Sequence, residues 1–310
     1  MLEAALIIAG LTLFEVINSI DNAIINSEVL STMSARAKRW FLLWGILIAV
    51  FAVRGLLPIL ILWSSSPQLG FVDVIVATLS SNPEIIQAVE ESAPVLLIGG
   101  GVFLIFLFCH WIFLEPKHYG LRGEATIERH GVWFYAAVSI ILTAIVWFSI
   151  QTRPAMAFGA VVGSTGFFIT HGFKENAAQM ERRMLSGTTS MSDVSKLLYL
   201  EVIDTTFSID GVLGAFAFTF SVPLILIGNG IGAIVVRELT VKNIENVKKY
   251  KYMKNGAMYS ICVLGLIMVL DSFNVDIPSW VSPLVTFLII GFFFYKSRKA
   301  IKDAKPSSKR

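Results

Sequence analysis

Charge is scarce in this chain. Asp, Glu, Lys and Arg make up 15% of its 310 residues against 55% hydrophobic residues, and the mean hydropathy is +0.72, which excludes an ordinary soluble domain. Cysteine is nearly absent: Cys109 and Cys262 both lie in apolar runs, with no disulfide framework and no paired Cys/His zinc spacing. No GxxxxGK[ST] phosphate-binding loop is present, which argues against ATP coupling within this chain. The first residues carry no basic leader and no small-residue cleavage site, so the first apolar run reads as a retained span and not as a signal peptide.

What the chain does have is apolar runs near the roughly 20 residues that cross a bilayer as helix. Nine candidate spans are expected, at about 3–28, 40–63, 94–114, 132–151, 155–172, 197–220, 222–241, 256–272 and 280–296, giving an all-α polytopic membrane protein. Basic residues fall in every second connection: Arg36, Lys38 and Arg39; Lys117, Arg122 and Arg129; Lys174, Arg182 and Arg183; and Lys242 to Lys254, with a basic tail from Lys296 to Arg310. The stretch 64–93 has no Lys or Arg. The positive-inside rule then puts the N-terminus outside and the C-terminus in the cytoplasm of a cell (plasma) membrane protein.

Two of the runs hold carboxylates in nearly the same pattern. Glu15-Val-Ile-Asn-Ser-Ile-Asp21-Asn22 is matched by Asp204-Thr-Thr-Phe-Ser-Ile-Asp210-Gly211. Each motif is followed by an apolar segment with one arginine, and Gly45 to Arg54 aligns without a gap to Gly228 to Arg237. The first motif span runs inward and the sixth runs outward, so the two hairpins form an inverted-topology repeat. That is a common plan of secondary transporters, with the substrate near mid-membrane at the repeat interface. The expected organisation is 1–115 for the first repeat, 116–196 for two inserted spans and a connector, 197–297 for the second repeat and 298–310 for the tail.

Ionisable residues inside spans mark a functional site by default. Glu15, Asn18, Ser19, Asn22 and Asn26 form one polar helical stripe, with Asp21 about 120° away from Glu15. Bringing both acids to one point requires a helix break near Ser19 to Asn22. The sixth span repeats this with Glu201, Asp204, Ser208 and Gly211 on the stripe and Asp210 off it, and Gly211 offers an unwinding point. Carboxylates, Asn side chains such as Asn229 and freed carbonyls make a hard oxygen site for Mn²⁺, Ca²⁺ or Mg²⁺. Arg54 and Arg237 are the expected charge partners of these acids.

These features resemble the TerC family of integral membrane proteins, of the LysE transporter superfamily. The resemblance rests on the two acidic motifs, on Gly45, Ile46 and Arg54, on Asn229 and Arg237, on Lys249-Tyr-Lys-Tyr-Met-Lys-Asn-Gly256, and on Ile277-Pro-Ser-Trp280. It covers about 1–115 and 197–297; the segment at about 130–196 and the long 64–93 stretch depart from the pattern. The resemblance implies manganese export (tellurite resistance is the older association), with Glu15, Asp21, Asn22, Asp204 and Asp210 as the cation site.

The leading expectation is therefore a secondary transporter exporting a divalent metal ion, Mn²⁺ first, by alternating access. It would be no enzyme, have no bound cofactor and no nucleic-acid partner, sit in a lipid bilayer and be open to homo-oligomer formation. An intramembrane aspartyl protease is an alternative, although Asp210 lacks a Gly-x-Gly-Asp setting. A non-transporting metal sensor or partner protein, using 115–130 and 173–196 as contact surfaces, is another. The pairs His171/Glu175 and His110/Glu115 read as interfacial polar pairs, with His110 able to donate to a carbonyl. Gly159-x3-Gly163 and Gly99-Gly-Gly101 read as close helix-packing points.

Overall fold

The computed structural model describes residues 2–45, 48, 54–65, 70–79, 83–185, 192–239 and 248–303, and every regular element among them is helical. The longer helices are α1 (Leu2–Asn18), α2 (Ile20–Ser31), α4 (Arg54–Ser65), α6 (Pro83–Leu114), α8 (Phe134–Thr152), α9 (Pro154–Leu185), α10 (Asp193–Ala215), α11 (Val222–Glu238), α12 (Met253–Ser272) and α13 (Val281–Asp303). Three short helices join them: α3 (Ala35–Trp40), α5 (Phe71–Leu79) and α7 (Glu124–Arg129). Four stretches are long and apolar enough to cross a membrane: Glu91–Leu114, Gly131–Thr152, Pro154–Met180 and Met253–Ser272.

The bundle is built round α6. Of its apolar window 89% is buried, whereas for the window of Gly131–Thr152 the share is 11%. A helix apolar on all sides belongs either inside a large core or in lipid; here α6 takes the first place and α8 the second. Tyr135, Ile140, Trp147 and Phe148 on α8, with Phe158, Ile169 and Phe173 on α9, leave a broad apolar outer surface suited to acyl chains.

Backbones meet where side chains are missing. A methyl group on Gly99 would lie 2.8 Å from the Gly159 carbonyl oxygen, one on Gly159 would lie 2.5 Å from that of Val95, and one on Gly163 would overlap that of Gly99. On the opposite face of α6, a methyl on Gly101 would stand 2.8 Å from the Gly265 carbonyl oxygen in α12. Small residues at such crossings let dispersion contacts form along the whole helix length, which is what holds apolar helices together in lipid. The 116–196 segment is accordingly part of the same bundle, with α9 against α6 and α8 against α9.

Two runs differ in extent from the hydropathy reading. The fifth span does not stop near 172: α9 runs on to Leu185, so the connector expected after it begins as a continuation of the same helix. The third begins earlier, because α6 starts at Pro83 inside the stretch read as external.

The connector after α6 is clamped. Lys117 Nζ donates to the carbonyls of Trp111 (2.9 Å), Ile112 (3.0 Å) and Glu115 (3.0 Å), an ammonium on the unsatisfied end of the helix. Buried Glu124 accepts from the backbone N–H groups of Gly120 (2.6 Å) and Leu121 (2.9 Å), from Asn255 (3.1 Å) and from Tyr259 (2.9 Å), which ties the connector to α12.

Overpacking the α6–α9 crossing gives a direct check. Gly163→Ala is expected to destabilise the protein by about 1–3 kcal/mol and to lower its melting temperature in detergent. Gly172→Ala on the same helix, where nothing lies within 4 Å, serves as the control and should leave stability unchanged or raise it by up to about 1 kcal/mol.

Candidate functional site

The first motif sits where α1 gives way to α2. Ser19, at φ −89° and ψ 1°, interrupts the helix there. The hydrogen bonds Ser19 N–H to Glu15 O (3.0 Å) and Ala23 N–H to Ser19 O (2.9 Å) continue across it, so the interruption is one residue deep and does not unwind a turn. The second motif has no interruption: α10 runs unbroken through Gly211 to Ala215, so the expected unwinding at Gly211 does not occur.

Gly211 has another use. A methyl there would lie 3.0 Å from Glu15 Oε2 and 3.8 Å from Asn18 Nδ2, and one on Gly232 of α11 would lie 2.7 Å from Glu15 Cβ and Cγ. Glu15, only 1% exposed, is thus seated between two glycines on two helices. Ser19 Oγ donates to its Oε1 at 2.8 Å.

From there the two motif helices run side by side in opposite directions. Glu15 meets Gly211, Asn26 Nδ2 is 3.5 Å from Asp204 Oδ1, Lys196 Nζ donates to Thr32 Oγ1 (2.9 Å), and the Ser34 N–H donates to Asp193 (3.3 Å). That register sets Asp21 in α2 within about a turn of the level of Asp210. The side chains of Asp21, Asn22 and Arg54 lie outside the described residues.

The crossings with the arginine-bearing segments are reciprocal. Thr12, three residues before Glu15, donates to the Gly228 carbonyl (3.1 Å). Glu201, three residues before Asp204, lies against Gly45, the position that aligns with Gly228.

Asp210 is paired, and not as expected. Its Oδ2 lies 2.5 Å from Nζ of Lys174, which reaches across from α9, and the two side chains are 6% and 16% exposed. Among the described residues its other oxygen, Oδ1, is buried without a hydrogen-bond partner, as are Asn26 Oδ1, Glu201 Oε1 and both polar atoms of Asn229. Arg237 makes no ion pair among the described residues, so the countercharge expected from the arginines comes to Asp210 from Lys174. The Ser208 hydroxyl donates to the Asp204 backbone carbonyl at 2.6 Å. Among the described residues, no three His, Cys, Asp or Glu side chains form a ready-made metal cage.

Two features border this pair. An apolar cavity of about 740 Å³ opens between α4, α6, α9 and α10, with Glu91 and Arg153 at one end and Thr170 and Ile209 at the other. Ile209 adjoins Asp210 and Thr170 precedes Lys174 by one turn. On the far side, the rings of His110 and His171 lie 3.9 Å apart centre to centre. His110 Nδ1 is 3.4 Å from Glu115 and His171 Nε2 is 3.4 Å from Glu175, so His110 faces a carboxylate and not the carbonyl expected. Lys254 of α12 completes the group, 2.8 Å from Glu115. Sequence spacing identified each His/Glu pair but not their meeting, which depends on the α6–α9 crossing.

Burial pushes the Glu115 carboxyl up, but the hydrogen bond from His110 and the Lys254 ammonium outweigh it and hold the group at about 2, below its ordinary 4.5. A lowered folded-state value gives stability that is complete above the unfolded value and is lost as pH falls through the folded one. Wild type should therefore out-melt Glu115→Gln at about pH 4.5, and the margin should shrink as the pH falls towards about 2. A margin that widens between about pH 4.5 and 2 would rule this pairing out.

The comparisons with known proteins agree with a membrane bundle. An uncharacterised membrane protein of Bacillus subtilis (strain 168), YceF, is 28% identical over 82 residues, covering 26% of this chain and 32% of the relative. The matched part is thus about a third of that relative's length. No solved structure matches. The family described as DUF475, proteins of unknown function, matches residues 20–303, a range that takes in Asp21, Lys174, Asp204 and Asp210 along with the 116–196 segment. This apolar helical membrane protein belongs to the DUF475 family.

Proposed function

We propose that this protein is a secondary transporter that exports a divalent cation, Mn²⁺ being the first candidate, through a carboxylate site shared by two inverted halves of a nine-span bundle. The observation that carries the reading is the antiparallel seating of the two Ser-Ile-Asp helices, with Glu15 enclosed between Gly211 and Gly232 and Asp210 Oδ1 buried without a partner. Oxygen atoms left unsatisfied in an apolar interior cost about 1–3 kcal/mol each, and a hard cation is the ligand that such atoms suit. The reciprocal Thr12–Gly228 and Glu201–Gly45 contacts support an exchange of equivalent surfaces between the halves. The basic connections favour an outside N-terminus and a cytoplasmic C-terminus. The TerC resemblance favours manganese.

The cation set would comprise Glu15, Asp21, Asn22, Asp204 and Asp210, completed by Asn side chains or carbonyls. The apolar cavity would leave Asp210 dry from that side in this conformation, a closed gate of the kind that opens by wetting. A protease reading requires Asp210 to share a proton with a second carboxyl, and the Lys174 ammonium on Asp210 disfavours that.

Cells expressing the wild type should hold less manganese and tolerate more of it than empty-vector cells, and Asp21→Asn should abolish the difference. In vesicles, Asp210→Asn should slow Mn²⁺ flux by roughly tenfold or more, the scale of losing one hydrogen bond or ligand to a charged group. Equal metal content with wild type and empty vector would count against export. Peptide cleavage that needs both Asp21 and Asp210 would support the protease.

A further inference from the structure

The inserted helix α9 contributes directly to the acidic site, and its contribution is a cation. We propose that Lys174 is a built-in counter-cation of Asp210, which an incoming divalent ion must displace in order to bind; this rests on the transport reading above. Three observations lead there. The ammonium lies 2.5 Å from one oxygen of a carboxylate that is itself almost wholly buried, so it already occupies one of the two positions where a cation would approach Asp210. The second oxygen is buried and has no hydrogen-bond partner among the described residues, so the lysine satisfies only half of the group's capacity. The chemistry of the residue matters as well: lysine presents a compact charge on a flexible four-carbon stem and makes no rigid two-point fork, so it can leave without dismantling the site.

The geometry gives the ammonium somewhere to go. Lys174 is near the end of the apolar part of α9, next to Glu175, whose side chain is 66% exposed. Long basic side chains at helix ends reach towards water readily. A divalent ion on Asp210 with Lys174 still in place would set like charges a few ångströms apart in a poorly screened interior, so the two occupancies exclude one another. When no divalent ion is bound, the lysine keeps Asp210 from standing as a bare carboxylate in the bundle. Lys174 thereby sets the threshold concentration at which the site fills.

The test uses Mn²⁺ alone and the full chain purified in detergent, with free Mn²⁺ counted by its electron paramagnetic resonance signal. Lys174→Gln should bind Mn²⁺ about tenfold more tightly than wild type or better, equivalent to about 1.4 kcal/mol, and adding Asp210→Asn should remove the gain. In wild type, saturating Mn²⁺ should raise acylation of Lys174 by a small amine reagent, read by mass spectrometry, with Lys38 unchanged. If Lys174→Gln aggregates, the labelling decides, and an unchanged Lys174 overturns the proposal. Mn²⁺ binding that needs Asp210 but is indifferent to Lys174 overturns this inference and leaves the transport reading standing. A gain on Lys174→Gln with no vesicle flux does the reverse, and no binding to either protein removes both.

Discussion

A carboxylate in the interior of an apolar bundle has to be enclosed by donors or matched by a charge, and the seating of Glu15 is the constraint on which the site depends. The group is accommodated because α10 and α11 each present a glycine to it, Gly211 and Gly232. A methyl on Gly232 would press on Glu15 Cβ and Cγ, and one on Gly211 would press on its carboxylate, so the seating of Glu15 would have to shift. The same two contacts fix how α1 lies along α11 and how the α1–α2 segment lies along α10. Packing and polar chemistry are therefore one requirement here: the small residues that let backbones approach also make room for the Glu15 side chain.

The two motif copies have diverged in how they handle charge. The first is interrupted at Ser19 and supplies its own donor, since the Ser19 hydroxyl reaches back to Glu15. The second is an unbroken helix whose serine is spent on its own backbone and whose aspartate is matched by Lys174 from a helix outside either copy. Two motifs of nearly the same sequence thus give their acids chemically different surroundings. The charged pair also binds α9 to α10, in addition to the glycine crossing that binds α9 to α6. Helix α9 is held on two sides by interactions of different kinds, and it carries His171 against His110 at the same end.

The sequence was most informative where length and hydropathy alone decide the outcome. The runs at 94–114, 132–151, 155–172 and 256–272 lie within helices apolar enough to cross a membrane. The runs with the acidic motifs are harder to recognise by that measure, because the interruption at Ser19 leaves α1 with 17 residues and α10 carries Glu201, Asp204 and Asp210 along its length. The glycine pairs were legible as contact points but not in their pairing, which depends on which helices cross. Lys174 escaped notice for a physical reason. Charge counting places a basic residue at the end of an apolar run in the adjacent connection, and only the continuation of α9 to Leu185, with the partner helix beside it, turns that residue inward. The pairing expected of Arg237 is not found among the described residues: it lies in the last turn of α11, where a helix end favours a cation without any acidic partner.

The burial of Glu15 has a consequence for the order in which the chain is made. The residues that enclose it, Gly211 and Gly232, are synthesised about two hundred residues after it, on the order of ten seconds or more at ordinary elongation rates. For that interval the first helix holds a carboxylate without its final surroundings. Ser19, one turn further along the same helix, is made almost at once and donates to one of its oxygens. The local hydrogen bond is therefore an early shelter for the acid, and the enclosure by α10 and α11 can follow only once those helices have been made.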